Sequence, residues 1–95
     1  MRTVGRTDSN QRAIVKALRD AGASVFSLAN MGKGCPDLLV SRRKVTMLLE
    51  VKDGSLPPSK RKLTPDEMYF HNKWSGLIFV VESVEEAIKT LELYA

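Results

Sequence analysis

Residues 45–52, with the sequence VTMLLEVK, constrain the fold more than any other segment of the chain. Apolar and β-branched side chains of this kind favour a strand. Glu50 and Lys52 are two residues apart, so their side chains leave the same face of the sheet, whereas Val51 points to the opposite face and the core. A carboxylate and an ammonium group are costly to bury without partners. The end of this strand is therefore either a salt-bridged terminus or a functional site.

The rest of the chain predicts three helices and three further strands. Asp8 or Ser9 can cap a first helix, which Gly22 ends, and Thr64 and Ser83 can cap two later helices. The predicted strands besides 45–52 are a short strand with Val25, Phe26 and Leu28, a strand at 37–41 and a buried strand at Leu77–Val81. The predicted connections are a loop at 30–36, a basic turn at 42–44 and a loop at 53–62. The second helix is expected to run to about Ser75.

The order of these elements, α-β-β-β-α-β-α, predicts an α/β domain. Strands joined by a hairpin pair antiparallel, and a crossover through a helix favours parallel addition of the last strand. We therefore expect a central mixed sheet flanked by helices. No internal repeat, low-complexity tract or linker interrupts the sequence, so we expect one domain over residues 1–95.

Composition excludes several classes of protein. A single cysteine, Cys35, cannot form an intrachain disulfide, and no partner at zinc-binding spacing accompanies it. The longest apolar run, Leu77–Val81, has five residues and is far shorter than the roughly 20 that span a bilayer. No apolar signal-peptide region follows the N-terminus. We therefore expect a cytoplasmic protein that has no association with membranes.

Charge is distributed unevenly along the chain. Residues 1–62 contain 13 Lys and Arg against 5 Asp and Glu, whereas residues 63–95 contain 2 against 6. A basic excess over two thirds of a chain favours a polyanionic partner such as a nucleic acid.

A second carboxylate, that of Asp37, is expected next to the end of the strand 45–52. Asp37 follows Pro36 at the start of the predicted strand 37–41, beside the strand that carries Glu50 and Lys52. Two converging carboxylates suit a hard divalent cation such as Mg²⁺, which takes oxygen ligands and retains water. The lysine can orient or deprotonate an attacking water, or stabilise charge that develops on a phosphate.

These residues also carry a family resemblance. The segments GCPDLLV (34–40) and LLEVKDG (48–54) resemble the PD-(D/E)xK nuclease signature. Together with PPSKRKLTPDE (57–67) and FHNKW (70–74), they are similar to the VRR-NUC family in particular, and to its standalone, phage-type members. The resemblance covers essentially the whole chain. It implies a restriction-endonuclease-like fold and a metal-dependent deoxyribonuclease in a bacterial or phage-infected cell.

The resemblance implies a role for each site residue. Asp37, Glu50 and the backbone carbonyl of Val51 resemble the ligands of Mg²⁺ or Mn²⁺, and Lys52 resembles the catalytic lysine. The family usually places a further acidic residue on the first helix, where this chain has Gln11. An amide brings no charge, so this departure puts a second metal in doubt. Asn10 beside it is a possible supporting residue, and capping or simple solvation remains the alternative for both amides.

The helix after the basic loop departs from the family in a second way. Related nucleases often have Gln in the pattern L-[ST]-x-x-Q, where this chain has Glu67. We expect Glu67 to act in the capping box with Thr64 rather than in catalysis. His71, the only histidine, is expected to pack or lie on the surface. The aromatic residues of this helix, which we expect in the core or an interface rather than stacked on bases, are Tyr69, Phe70 and Trp74.

The resemblance and the charge pattern together predict a DNA partner. The predicted phosphate-binding residues are Lys33, Arg42, Arg43, Lys44, Lys60, Arg61 and Lys62. We expect a homodimer that cuts branched DNA such as a four-way junction, with no nucleotide cofactor because the P-loop pattern is absent. The alternatives are a catalytically silent DNA-binding or interaction module that retains the fold, and a subunit that another protein completes.

Overall fold

The structure, a computed structural model, describes residues 9–95. The predicted cap Asp8 lies outside the described residues. The order of elements and the α/β class are as predicted. The elements are α1 (Gln11–Asp20), β1 (Ser24–Ser27), β2 (Leu38–Arg42), β3 (Val45–Val51), a 3₁₀ turn (Pro58–Lys60), α2 (Pro65–Lys73), β4 (Leu77–Val81) and α3 (Val84–Tyr94).

The four strands form one mixed sheet in the order β1-β2-β3-β4. The first three strands pair antiparallel, and β4 pairs parallel to β3, as the hairpin and the crossover predict. Leu38 pairs with Leu49, which sets the register of the central hairpin. The beginning of β2 and the ends of β3 and β4 therefore lie along the same edge of the sheet, namely the one that crosses the ends of the strands.

The two faces of the sheet are covered differently. Helices α1 and α3 pack on one face and on each other, and they bury the alternate apolar positions of the strands there. Val51 is fully buried in this core, as predicted. The largest buried side chains of the core are Ile14, Leu18, Leu38, Val40, Met47, Leu49, Val51, Val81 and Leu91. By the alternation of strand side chains, Glu50 faces the opposite side of the sheet.

The start of α1 differs from the prediction. Asn10, rather than Ser9, is the N-cap residue, and its side chain makes no capping hydrogen bond. The Asn10 amide instead donates hydrogen bonds to the carbonyls of Lys52 and Glu82, each at 3.1 Å. Ser9 donates to Asp53 at 2.8 Å. Polar tethers to the strand ends, rather than a side-chain cap, thus fix where this helix begins.

Helix α2 begins as predicted, with the capping box of Thr64 and Glu67 formed and Pro65 in its first position. It ends at Lys73, two residues before the predicted end, and contains no buried residue. The Phe70 and Trp74 rings stack with centroids 5.6 Å apart. Tyr69 and Trp74 are exposed, so of the two predicted placements, core or interface, the structure excludes the core, and the interface stays a prediction. The helix is therefore held mainly at its first turn.

One further expectation about packing is wrong. The sequence predicts a buried strand at Leu77–Val81, but β4 is an edge strand, only Val81 of it is fully buried, and Val80 is 38% exposed. Leu91 of α3 is 1% exposed and belongs to the core. Within residues 9–95, no helix is long and apolar enough to cross a membrane.

Gly34 fixes the first turn of α2 against the loop before β2. Its φ of +77° favours glycine, and a Cβ there would overlap the backbone carbonyl group of Asp66. The loop that leads into Asp37 therefore contacts the helix that carries Glu67. This contact brings a third chain segment to the edge of the sheet where β3 ends.

Candidate active site

Asp37, Glu50 and Lys52 converge at one edge of the sheet. The pairing of Leu38 with Leu49 continues outward so that Asp37 lies opposite Glu50. The Val51 N–H donates a hydrogen bond of 2.7 Å to Oδ2 of Asp37, which fixes that carboxylate against β3. Glu50 is only 3% exposed. The predicted strand end is therefore buried.

The ammonium group of Lys52 lies between two carboxylates. Its Nζ is 2.9 Å from Oε1 of Glu67 and 3.6 Å from Oε2 of Glu50. Glu50 and Lys52 thus share one face of the sheet, as their spacing predicts. The sequence predicts the capping box of Glu67 on α2 but not this bridge to Lys52.

Burial dominates the electrostatics of Asp37 and Glu50. Burial raises the pKa of Glu50 to about 9, and the neighbouring charges of Asp37 and Glu67 add to this effect, while Lys52 opposes it. Burial also raises the pKa of Asp37, although the hydrogen bond from Val51 partly offsets it. The site therefore holds two carboxyl groups that are costly to ionise together without a cation.

Glu67 has the opposite balance. Burial favours a higher pKa for Glu67, but the hydrogen bonds from the Thr64 N–H and from Lys52 outweigh burial, so its pKa is lowered. Glu67 is thus an ionised carboxylate whose charge is already shared between a helix cap and a lysine.

His71 and Cys35 lie at the margin of the site. His71 is four residues after Glu67 and so on the same side of α2, and its buried Nε2 has no hydrogen-bond partner. Burial lowers the pKa of His71. Burial also raises the pKa of the Cys35 thiol, with the charges of Glu50 and Asp37 adding to it. The i, i+4 spacing from Glu67 is the sequence signal that could have placed the histidine here.

The donor atoms fit a hard divalent cation in part. Among residues 9–95, Oε1 of Glu50 is buried and has no hydrogen-bond partner, so this oxygen is available to a ligand. Carboxylate and carbonyl oxygens are the ligands that Mg²⁺ prefers, and Mg²⁺ also retains waters. Within residues 9–95, no three His, Cys, Asp or Glu side chains are arranged to hold a metal ion. Asp37 and Glu50 would therefore need the Val51 carbonyl and water to complete the coordination.

The two amides at the start of α1 have different surroundings. Asn10 ties the helix to the ends of β3 and β4, and within residues 9–95 its own Oδ1 is buried without a hydrogen-bond partner. Gln11 is 7% exposed, so solvation at the surface does not explain it. Both residues lie at the edge of the sheet where β3 ends, at the beginning of the first helix.

The predicted phosphate-binding residues fall into two groups. Lys33, Lys60 and Lys62 are exposed in the loops next to the site, whereas Arg61 is bound to Glu82 and to the Leu56 carbonyl. The hairpin turn with Arg42, Arg43 and Lys44 lies at the other end of β2, roughly 20 Å from Asp37 at about 3.3 Å per residue. Arg42 donates to the Ala21 carbonyl, while Arg43 and Lys44 are exposed. DNA contacts by any of these residues stay a prediction.

Comparison with known proteins gives a match to a solved structure. No family model and no curated protein sequence matches the chain. A solved structure described as a VRR_NUC domain is similar over 94% of this chain and 100% of its own, with 28% identity and a TM-score of 0.67. The resemblance to the VRR-NUC family is confirmed. The four-stranded mixed sheet and the order of elements agree with the VRR-NUC fold, and the match supports a nuclease-type domain.

The raised pKa values predict how stability depends on pH in the absence of divalent metal. Between about 4.5 and about 9, folded Glu50 binds more protons than the unfolded chain, so the free energy of unfolding should fall as pH rises. Glu50→Gln removes this group and should raise that free energy by about 1–3 kcal/mol at pH 8. Urea unfolding in chelator at pH 5 and pH 8 measures both effects. Equal stability of parent and variant at both values would contradict the raised pKa.

Proposed function

We propose that the chain is a metal-dependent deoxyribonuclease that hydrolyses DNA phosphodiester bonds. The observation that carries the proposal is the convergence of Asp37, Glu50 and Lys52 at one buried edge of a sheet whose fold is that of a VRR_NUC domain. The compartment expected for such an enzyme is the cytoplasm of a bacterial or phage-infected cell.

The residues of this site have distinct roles in the proposed reaction. Asp37, Glu50 and the Val51 carbonyl would hold Mg²⁺ or Mn²⁺. When bound, such an ion lowers the pKa of water and stabilises charge on a phosphoryl oxygen. Lys52 donates hydrogen bonds, so it orients the attacking water and stabilises the charge that grows on the phosphate. Val51 N–H holds the Asp37 carboxylate in a fixed orientation.

A catalytically silent DNA-binding module is the second candidate. Two observations favour it: Lys52 is paired with Glu67, and the position on α1 where the family has an acid carries the neutral Gln11. Such a module would bind DNA through the exposed lysines near the site and would show no cleavage at any divalent metal concentration.

Lys52→Ala and Asp37→Ala should each abolish divalent-dependent DNA cleavage. Lys52→Ala removes the donor expected to act on the water, and Asp37→Ala removes a ligand of the cation. A gel assay with and without Mg²⁺ measures cleavage, and circular dichroism checks the fold. Lys89→Ala, on the exposed side of α3, is the matched lysine control and should cleave like the parent. Cleavage by Lys52→Ala at the parent rate would end the assignment of a catalytic lysine, and unfolding of Asp37→Ala would favour a structural role.

Gln11→Glu should tighten the binding of divalent metal if Gln11 faces the cation. An added negative charge a few ångströms from the ion is electrostatically favourable. Because Gln11 is nearly buried, the same change should lower stability in chelator. Calorimetric titration with Mg²⁺ and Mn²⁺ measures the affinity. An equal or lower affinity would show that Gln11 does not face the metal.

We further propose that the active form is a homodimer selective for branched DNA. One short chain builds one active site, and coordinated cutting of two strands needs two sites at a fixed separation, which a two-fold dimer supplies. Apolar side chains remain exposed near the end of α3 and on α2, including Leu93 at 69%. Surfaces of this kind are where partner subunits dock. DNA shape and phosphate contacts would then supply selectivity in place of base-edge readout.

The oligomeric state and the DNA preference are tested separately. Light scattering at micromolar concentration should give twice the chain mass of 10.6 kDa. Cleavage of a four-way junction should exceed cleavage of a linear duplex of the same sequence in matched salt and Mg²⁺. A mass near 10.6 kDa would exclude the dimer. Equal cleavage of both substrates would exclude the preference for branched DNA but not the nuclease.

A further inference from the structure

One oxygen atom of Glu67 joins two parts of the chain. Oε1 accepts a hydrogen bond from the Thr64 N–H at 2.9 Å and another from Nζ of Lys52, also at 2.9 Å. The Glu67 N–H in turn donates to Oγ1 of Thr64 at 3.1 Å. The carboxylate that completes the helix cap is therefore the same carboxylate that holds the lysine of the site.

The first turn of α2 is itself fixed relative to the site. Gly34 packs against the backbone of Asp66 so closely that no Cβ fits, and Gly34 is only three residues before Asp37. Pro65 restricts the backbone at the first helical position. The position of the Glu67 carboxylate is therefore set by the loop that also carries Asp37.

Glu67 competes with Glu50 for the lysine. Nζ of Lys52 is 2.9 Å from Oε1 of Glu67 but 3.6 Å from Oε2 of Glu50, so the shorter contact is to the helix. Among residues 9–95, Glu50 is the other carboxylate that pairs with this ammonium group. Without Glu67, a shorter ion pair with Glu50 would occupy a carboxylate that the proposed function requires for the metal.

We propose that Glu67 is a positioning residue, which holds Lys52 at the margin of the site and keeps Glu50 available for a divalent cation. The inference rests on the proposed nuclease function. It assigns to α2 a role that its capping box alone does not explain: the first turn of this helix sets the position of the lysine. The side-chain oxygen, more than the charge, carries this role because an amide oxygen accepts the same two hydrogen bonds.

Three variants separate positioning from helix stability. Glu67→Ala removes both hydrogen bonds to Oε1. Glu67→Gln retains an acceptor oxygen at that position. Thr64→Ala is the matched control, because it weakens the same cap but leaves the Thr64 N–H and the contact between Glu67 and Lys52. For each variant, kcat and KM for DNA are measured at saturating Mg²⁺ together with the melting temperature.

Glu67→Ala should lower kcat by about ten- to a hundred-fold with little change in KM, the effect expected when a reacting group is misplaced. Glu67→Gln should recover most of that loss. Thr64→Ala should lower the melting temperature but leave kcat within about two-fold of the parent. If Thr64→Ala reduced kcat as much as Glu67→Ala, or if Glu67→Ala kept the parent kcat, the positioning role would be wrong.

A second readout does not depend on catalysis. The ammonium protons of Lys52 should give an NMR signal in slow exchange with water in the parent and in Thr64→Ala, and should lose it in Glu67→Ala. If the parent cuts no DNA but these signals behave as expected, the nuclease proposal fails and the placement of Lys52 by Glu67 stands. If the parent cuts DNA and Glu67→Ala keeps the slow signal, the positioning role fails and the nuclease stands.

Discussion

The pairing of Asp37 with Glu50 across the central hairpin is the constraint on which the site depends. The register in which Leu38 pairs with Leu49 places Asp37 opposite Glu50. This register is fixed by the core, because a shift of one residue would turn apolar side chains away from α1 and α3. The apolar core on one face therefore dictates which polar groups meet on the other. The hydrogen bond from Val51 to Asp37 adds to this register, since it joins the last residue of β3 to the residue before β2. The chemistry of the site is thus a consequence of packing on the opposite side of the sheet.

The two faces of the sheet also differ in how firmly they are covered. Helices α1 and α3 bury a continuous core, whereas α2 buries no residue fully and is held by its first turn. That turn is fixed by the capping box, by the close contact of Gly34 with Asp66, and by the ion pair with Lys52. A helix attached in this way places one side chain accurately while its other end remains exposed, with Trp74 at its C-terminus. The position of the site residues therefore depends on a few polar contacts more than on buried area.

Sequence patterns predicted the local features of this fold well and the long-range polar contacts poorly. The strand β4, the capping box of α2, the Ser83 cap of α3 and the mixed sheet follow from periodicity, cap residues and the crossover rule. The same reasoning missed the tethers of Asn10 to Lys52 and Glu82, because hydrogen bonds between residues far apart in the chain leave no periodic signal. It also predicted the Glu67 capping box without the ion pair to Lys52, although a carboxylate oxygen that caps a helix can accept a second hydrogen bond. The separation of the hairpin turn from Asp37, in contrast, follows from strand direction alone.

The energetics of the carboxylate pair bear on the choice between an enzyme and a silent module. Asp37 accepts a hydrogen bond from the Val51 N–H, and this bond offsets part of the cost of burying its carboxylate. Among residues 9–95, Oε1 of Glu50 is buried without a hydrogen-bond partner, Lys52 lies closer to Glu67 than to Oε2, and burial raises the pKa of Glu50 to about 9. Replacing a buried ionisable group of this kind by an apolar or amide side chain is often neutral or stabilising. A domain that binds a divalent cation regains the free energy of ionising Glu50 when the ion binds, because a ligand specific for the folded state stabilises that state, whereas a domain that only binds DNA does not. The buried carboxyl group of Glu50 therefore favours the metal-dependent enzyme over the silent module.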